Sequence, residues 1–434
     1  MQIPYTKRTL ANGLDVIVHE DHQLPMVAVN LWYHVGSKNE RVGRTGFAHL
    51  FEHLMFEGSA HHDRGYFPPL QRAGALLNGS TNADRTNYWE VVPTGALELA
   101  LWMESDRMGY LLPALTEHKF NNQRDVVLNE RRQNYENRPY GLAGIALSSA
   151  MYAPEHPYNW PTIGSAEDLR AATLDLVREF FQTYYHPANA SLSLAGDIET
   201  EQAFELADKY FGELPPGPPV AKVTQAATLS ISRDLVLEDR VELPRLYMSW
   251  HSPEMFGDDD AELDIVADVL AHGKTSRLYK TLVYERRIAT DVSAYQHSRE
   301  MSGLFQVACT AAAGVALTDL HRAVLDTIAE LAVGGPTAAE LERGVAQTEA
   351  QFIYRLQTIG GFGGKGDQLN AYNTFAGDPG YFAEDRQRYL GVTSATAAAA
   401  ADRWLVKAPL VTLSVVSRGK RNLALPGAVE VSVS

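Results

Sequence analysis

Three side chains in one short segment are spaced for metal chemistry. The stretch G-F-A-H-L-F-E-H-L-M-F, residues 46–56, holds His49, Glu52 and His53. On a helix, positions i, i+3 and i+4 share one face, so the two imidazoles can close on one ion with Glu52 beside them. Zinc suits imidazole nitrogen and carboxylate oxygen, and a catalytic zinc keeps one position open for water. It lowers the pKa of that water toward ~7. A carboxylate that does not bind the metal is then the natural base and proton shuttle, the role Glu52 is placed to fill. Leu50, Phe51, Leu54 and Met55 give the same segment an apolar back. A zinc site needs a third protein ligand. Cys309 is the single cysteine and lies far along the chain. The helix-forming run R-D-V-V-L-N-E-R-R-Q-N-Y-E-N-R offers Glu130 as the best-placed carboxylate. Glu136 competes, but its place near the helix end and its neighbours Arg131, Arg132 and Arg138 favour a solvent-facing ion pair.

These residues need elements to carry them. R-T-L-A-N-G-L-D-V-I-V-H at 8–19 predicts a hairpin turning at Asn12-Gly13 in a type I′ turn. Residues 25–36 predict a long strand, and 45–56 the helix that carries the two histidines. Residues 78–92 read as a polar strand, a turn and a second strand, followed by helices over about 95–111 and 115–137. The run P-P-G-P-P at 215–219 can be neither helix nor central strand and divides the chain. The order of elements is similar on both sides, which points to a duplication. The expected organisation is a catalytic domain over 1–214, a linker over 215–223 and a homologous domain over 224–434. Strand runs with grouped helices indicate an α+β class.

Composition narrows the function. The chain has 434 residues, with 38 Lys+Arg against 53 Asp+Glu and a net charge of −15. That balance argues against a nucleic-acid partner, which draws on a basic excess. One cysteine excludes an intramolecular disulfide framework. No run of ~18 apolar residues predicts a membrane span. The start, M-Q-I-P-Y-T-K-R, lacks a signal-peptide core. The chain as given thus reads as cytoplasmic, or as periplasmic if a signal peptide has been removed.

The combined pattern resembles the pitrilysin/insulysin family of inverted-motif zinc peptidases (inverzincins), which includes mitochondrial processing peptidase. The resemblance is carried in order by L-A-N-G-L-D-V-I-V, V-G-S-K-N-E, G-F-A-H-L-F-E-H-L-M-F-E-G-S, N-G-S-T-N-A-D-R-T-N-Y, D-V-V-L-N-E-R-R and H-P-Y-N-W-P-T-I-G. In the second half it continues through S-R-L-Y-K-T-L-V-Y-E-R-R-I-A and G-F-G-G-K-G-D-Q-L. The short-chain bacterial branch is the nearest in pattern. The resemblance implies two homologous αβ-roll domains, each a mostly antiparallel sheet packed with helices and together half of a clamshell chamber. It implies a zinc metalloendopeptidase with one Zn2+ per chain, His49, His53 and Glu130 as ligands and Glu52 as base. At Gln123 many members carry a supporting Glu. An amide can still orient a neighbour, but it adds no negative charge.

The resemblance also implies that a peptide substrate adds as a strand to Asn78-Gly79-Ser80-Thr81, where turn chemistry alone would suggest a loop. Pairing Gly58 with Gly273 sets His49, Glu52 and His53 against Asp264, Ala267 and Asp268, so the second half reads as a metal-free copy. Relatives use an Arg and a Tyr from the opposite half of the chamber to hold the substrate carbonyl. The matching positions here are Val283 and Thr290, with Arg286 or Arg287 and Tyr295 as rivals should the alignment slip. The preferred partner is therefore a homologous half-length chain that supplies the pair in a heterodimer; a homodimer is the alternative, and it would lack the pair. The run G-G-F-G-G-K-G at 360–366 lacks the ending of a phosphate-binding loop and reads as a flexible loop of the second half. His61 and His62, adjacent on a loop, read as solvated. The alternative reading of the whole chain is a non-catalytic structural or assembly subunit.

Overall fold

The first hairpin forms where the sequence predicts it, with a different turn. In this computed structural model, which describes residues 1–433, strand β1 (Thr6–Thr9) pairs antiparallel with β2 (Asp15–Glu20). The Gly13 amide donates to the Leu10 carbonyl, and Gly13 alone in the turn takes a positive φ, 89°. That is a three-residue loop closed by a left-handed glycine rather than a type I′ turn, which needs two positive-φ residues. Asn12 is occupied instead in donating to the Phe211 and Leu214 carbonyls.

The remaining strands of the first sheet are β3 (Met26–Tyr33), β4 (Leu76–Thr81), β5 (Thr86–Pro93) and β6 (Ala190–Gly196). The second sheet holds β7 (Arg233–Asp239), β8 (Arg245–Ser252), β9 (Ala289–His297), β10 (Gly303–Ala311), β11 (Leu410–Ser417) and β12 (Val429–Glu430). Their orders are β1-β2-β6-β3-β5-β4 and β12-β7-β11-β8-β10-β9. The pairs β2–β6 and β7–β11 are parallel, and both β6-β3-β5-β4 and β11-β8-β10-β9 run antiparallel. The duplication read from the sequence is thus present as one five-stranded topology used twice, each sheet extended by a different sixth strand, β1 antiparallel to β2 and β12 parallel to β7, and the class is α+β. β4 and β9 occupy the same edge position in the two sheets.

Six helices carry or frame the candidate site and its counterpart: α1 (Phe47–Leu54), α2 (Leu97–Ala114), α3 (Glu117–Arg131), α4 (Ala143–Met151), α5 (Asp260–Ala271) and α6 (Lys365–Phe375). The predicted helices over 45–56, 95–111 and 115–137 correspond to α1, α2 and α3, the last followed by a wider turn at Arg132–Glu136.

Two compact units interleave along the chain. One comprises 1–130, 160–223 and 351–384, the other 131–159, 224–350 and 385–434. The division expected at the proline run therefore describes chain order more than packing. α4, from the first half of the sequence, packs on β8 and β11, and α6, from the second half, packs on β2, β3 and β6. The reason for α6 lies in its buried side chains. Asp367, Asn370 and Asn373 are polar residues spaced to share a helix face. They meet Asn30, Ser191 and Asp15, which present hydrogen-bonding groups on one side of the first sheet. The opposite side of that sheet is apolar, with Val27, Val29, Leu31 and Tyr33 of β3 buried. Buried polar groups are tolerated only when paired, so this polar face demands a polar helix.

Candidate metal centre

α1 divides cleanly into two faces. Phe47, Leu50, Phe51 and Leu54 recur at i, i+3, i+4 and i+7 and are buried. Phe51 stacks on Phe180 and packs against Phe181 and Tyr185. His49, Glu52 and His53 consequently lie on the other side, half-buried.

The helix start is held from outside. Its N-cap is Gly46, with φ 90°, and a Cβ there would come within 2.9 Å of the Ile163 carbonyl oxygen. Glycine is needed both for the left-handed backbone and for that close approach. With no cap side chain, the buried Glu40 substitutes. Its Oε2 accepts from the Gly46 amide and its Oε1 from the Ala48 amide, both at 2.8 Å. Thr45 is fixed by Asp168, which accepts from both its amide and its hydroxyl. Glu40→Ala leaves two buried amides unpaired, each worth ~1–3 kcal/mol. The expected result is a drop in unfolding free energy of about that size, read by denaturant melts.

α3 brings the third donor. Glu130 Oε2 lies 3.4 Å from His53 Nε2 and 3.7 Å from His49 Nε2. One donor atom from each residue falls within 4.8 Å of the others. Burial, with His53 alongside, pushes the His49 imidazole down to about 3. It is therefore neutral at pH 7, the form that binds metal. Two imidazole nitrogens and one carboxylate oxygen fit a zinc ion with an open position. Burial also pushes the Glu52 carboxyl up, while Thr81, His53 and Arg85 pull it back. A carboxyl tuned upward is suited to exchanging protons near neutrality.

Other sequence candidates separate in this geometry. Glu136 accepts from Arg131, the ion pair expected of it. Gln123 donates to Glu57, just after α1, and so ties α3 to the turn after the motif helix. Asn78-Gly79-Ser80-Thr81 form the body of β4, a strand rather than a loop. Among the described residues β4 pairs only with β5 and is the sheet edge. His61 is paired with the buried Asp106, and His62 Nε2 lies 3.2 Å from the Gly65 carbonyl oxygen. A second convergent donor group, Glu20, His22 and Glu199, is exposed, and His22 already pairs with Asp197 at 2.7 Å.

In the second unit α5 occupies the place of α1, between the equivalents of β3 and β4. Asp264 on it is half-buried and accepts from the Tyr389 hydroxyl at 2.6 Å.

The glycine-rich run is not a free loop of the second half. Residues 351–384 belong to the first unit, Phe362 sits edge-on to Trp89, and Lys365 pairs with Asp21 at 2.6 Å. Sequence reasoning missed Glu40, Arg85 and Asp367 as parts of this neighbourhood. Each stands inside a family-like motif, V-G-S-K-N-E, D-R-T-N-Y or G-K-G-D-Q-L, but carries no spacing that announces a role.

Comparison with known proteins gives the family. Residues 15–161 match the family described as Insulinase (Peptidase family M16), and residues 171–348 match the one described as Peptidase M16 inactive domain. The zinc protease PqqE of Helicobacter pylori is 30% identical over 359 residues, covering 81% of this chain and 80% of that protein. The crystal structure of a protease from Helicobacter pylori superposes with a TM-score of 0.87 at 26% identity, covering 96% of this chain and 100% of that one. The periplasmic protease PqqL of Escherichia coli shares the fold, with a TM-score of 0.78 at 17% identity over 98% of this chain but 50% of that one.

Proposed function

The chain belongs to the insulinase family, peptidase family M16, and we propose that it is a zinc metalloendopeptidase subunit hydrolysing peptides or oligopeptides. The observation that carries this reading is the convergence of His49, His53 and Glu130 with Glu52 on the same helix face. His49, His53 and Glu130 are the zinc ligands. Zinc supplies Lewis acidity, making a water acidic near neutral pH and polarising the carbonyl under attack. Glu52 takes the proton from the attacking water and returns it to the departing amine. Asn78, Gly79, Ser80 and Thr81 bind the substrate backbone at the free edge of β4, so recognition rests on main-chain hydrogen bonds and sequence preference on the flanking side chains. Gln123 orients the segment behind the ligands through Glu57.

The chamber needs a second half. Val283 packs partly buried against the core of its own unit, and the Thr290 hydroxyl is close to Asp291. Neither can clamp a carbonyl as Arg and Tyr would. Of the rivals, Tyr295 donates to Gln306. A homologous half-length partner is therefore proposed to bring the Arg/Tyr pair, consistent with the span of this chain being half that of the Escherichia coli protein with the same fold.

The test is metal and activity together. The purified chain should carry about one zinc, lose peptide hydrolysis on chelation and regain it with added zinc. A scaffold subunit, the rival reading, has no need of both histidines, Glu52 and Glu130, and would purify without stoichiometric zinc.

A further inference from the structure

Asp367 lies in the run G-F-G-G-K-G-D, more than 300 residues after the motif helix, yet it is buried in the first unit. Its Oδ1 accepts from Trp32 Nε1 at 2.9 Å, Asn87 Nδ2 at 3.1 Å and Asn30 Nδ2 at 3.3 Å. Its Oδ2 accepts from the Gly363 amide at 2.8 Å. Two of these contacts lead toward Glu52. Asn87 accepts in turn from the Ser80 hydroxyl at 2.6 Å. Ser80 receives Arg85 Nη1 on both its hydroxyl, at 2.7 Å, and its carbonyl, at 2.9 Å. The second path runs through Trp32, whose ring lies under the Arg85 guanidinium at 5.0 Å. Both paths end on Ser80 and Arg85. β4 packs directly against α1, the helix that carries Glu52, so the placement of Ser80, Thr81 and Arg85 sets the wall beside that carboxylate. Asn30 and Asn87 are fully buried, so these bonds are screened from water and their geometry is firmly set.

We propose that Asp367 is a positioning residue of the hydrolytic site, fixing β4 and Arg85 beside Glu52 through the Asn87–Ser80 bond and the Trp32 ring. This rests on the peptidase reading. The segment around Asp367 thereby becomes part of the catalytic unit although the sequence places it in the other half. The carboxylate has a definite task here. Four donors converge on it, and through Asn87 it adds a buried side-chain tie to the hairpin that the β4–β5 ladder closes. A displacement of ~1 Å at a reacting group can cost about 100-fold in rate.

The experiment compares Asp367→Asn, Arg85→Lys and Ser191→Ala in the full chain. Ser191 donates to Asn370 at 2.7 Å on the same α6 interface but lies outside the path. Asp367→Asn and Arg85→Lys should each keep zinc at the unaltered level and lose at least about tenfold in kcat, since a lysine lacks the planar guanidinium that lies over the Trp32 ring while it reaches Ser80. Ser191→Ala should lower the melting temperature and leave kcat within about twofold. The proposal is overturned if Asp367→Asn retains kcat, or if Ser191→Ala loses as much. Should Asp367→Asn not fold, Arg85→Lys decides alone: retained kcat overturns the proposal. Should the unaltered chain neither hold zinc nor cleave peptides, the peptidase reading fails by itself. Amide hydrogen exchange over 76–81 then still decides the positioning. Faster exchange in Asp367→Asn or Arg85→Lys but not in Ser191→Ala supports it, and equal exchange in all three overturns it.

Discussion

Glu52→Gln is expected to retain zinc and lose about 100- to 10,000-fold in kcat, the usual contribution of a positioned general base. The substitution keeps size and hydrogen-bonding reach but removes the ability to accept a proton. The outcome turns on the division of labour along α1. His49 and His53 approach Glu130 within 3.4–3.7 Å through their Nε2 atoms, so the metal donors are intact without Glu52. Glu52 shares their helix face and is half-buried beside Thr81, where its carboxyl is held above the ordinary range. Its loss should therefore strike the proton transfer and spare the ligand set. His53→Ala is the complementary variant. It removes one of three donors, and both zinc and hydrolysis should go together. Metal analysis of the two proteins separates the roles: zinc lost from Glu52→Gln, or retained in full by His53→Ala, contradicts the assignment.

The motif helix was legible in the sequence because its information is local. The i, i+3, i+4 spacing of His49, Glu52 and His53 and the apolar spacing of Phe47, Leu50, Phe51 and Leu54 follow from helical geometry alone. The repeat of strand order was legible for the same reason, as a sequence of local patterns met twice. Pairings across the chain were not. A-G-I-A-L-S-S-A-M in α4 is apolar enough to cover either sheet, so nothing in it specifies β8 and β11. α6 carries a clearer signal, since Asp367, Asn370 and Asn373 would be costly on an apolar face. Reading it required knowing that Asn30, Asn87 and Ser191 face inward on one side of the first sheet, and strand alternation alone assigns polar residues to solvent. Glu40 was hidden by a different rule. A helix beginning at a left-handed glycine has no side-chain cap of its own, and the residue that replaces it sits six positions upstream of Gly46.

The isolated chain is expected to hydrolyse peptides poorly, and mixing it with a homologous half-length chain that bears the Arg/Tyr pair should raise kcat/KM by about 100- to 1,000-fold, the effect typical of an oxyanion-type donor. The argument starts from what this chain can offer. The proposed zinc donors and base are assembled within one unit, and β4 lies at the edge of its sheet, where a substrate strand is proposed to add. The carbonyl under attack also gains negative charge in the transition state, and donors aimed at that charge stabilise it most where water is excluded. At the two positions proposed to match such donors, this chain has Val283, packed against an apolar core, and Thr290, a short hydroxyl beside Asp291. Two copies of this chain would bring together two zinc sites and no Arg/Tyr pair. A partner that supplies the pair completes the transition-state contacts without touching the metal, so its effect should fall on kcat/KM and leave zinc content constant. A partner variant with Arg and Tyr replaced by Val and Thr should bind but not activate. Full activity from the purified chain alone, with no second polypeptide present, would show instead that this chain finds its carbonyl donors among its own residues.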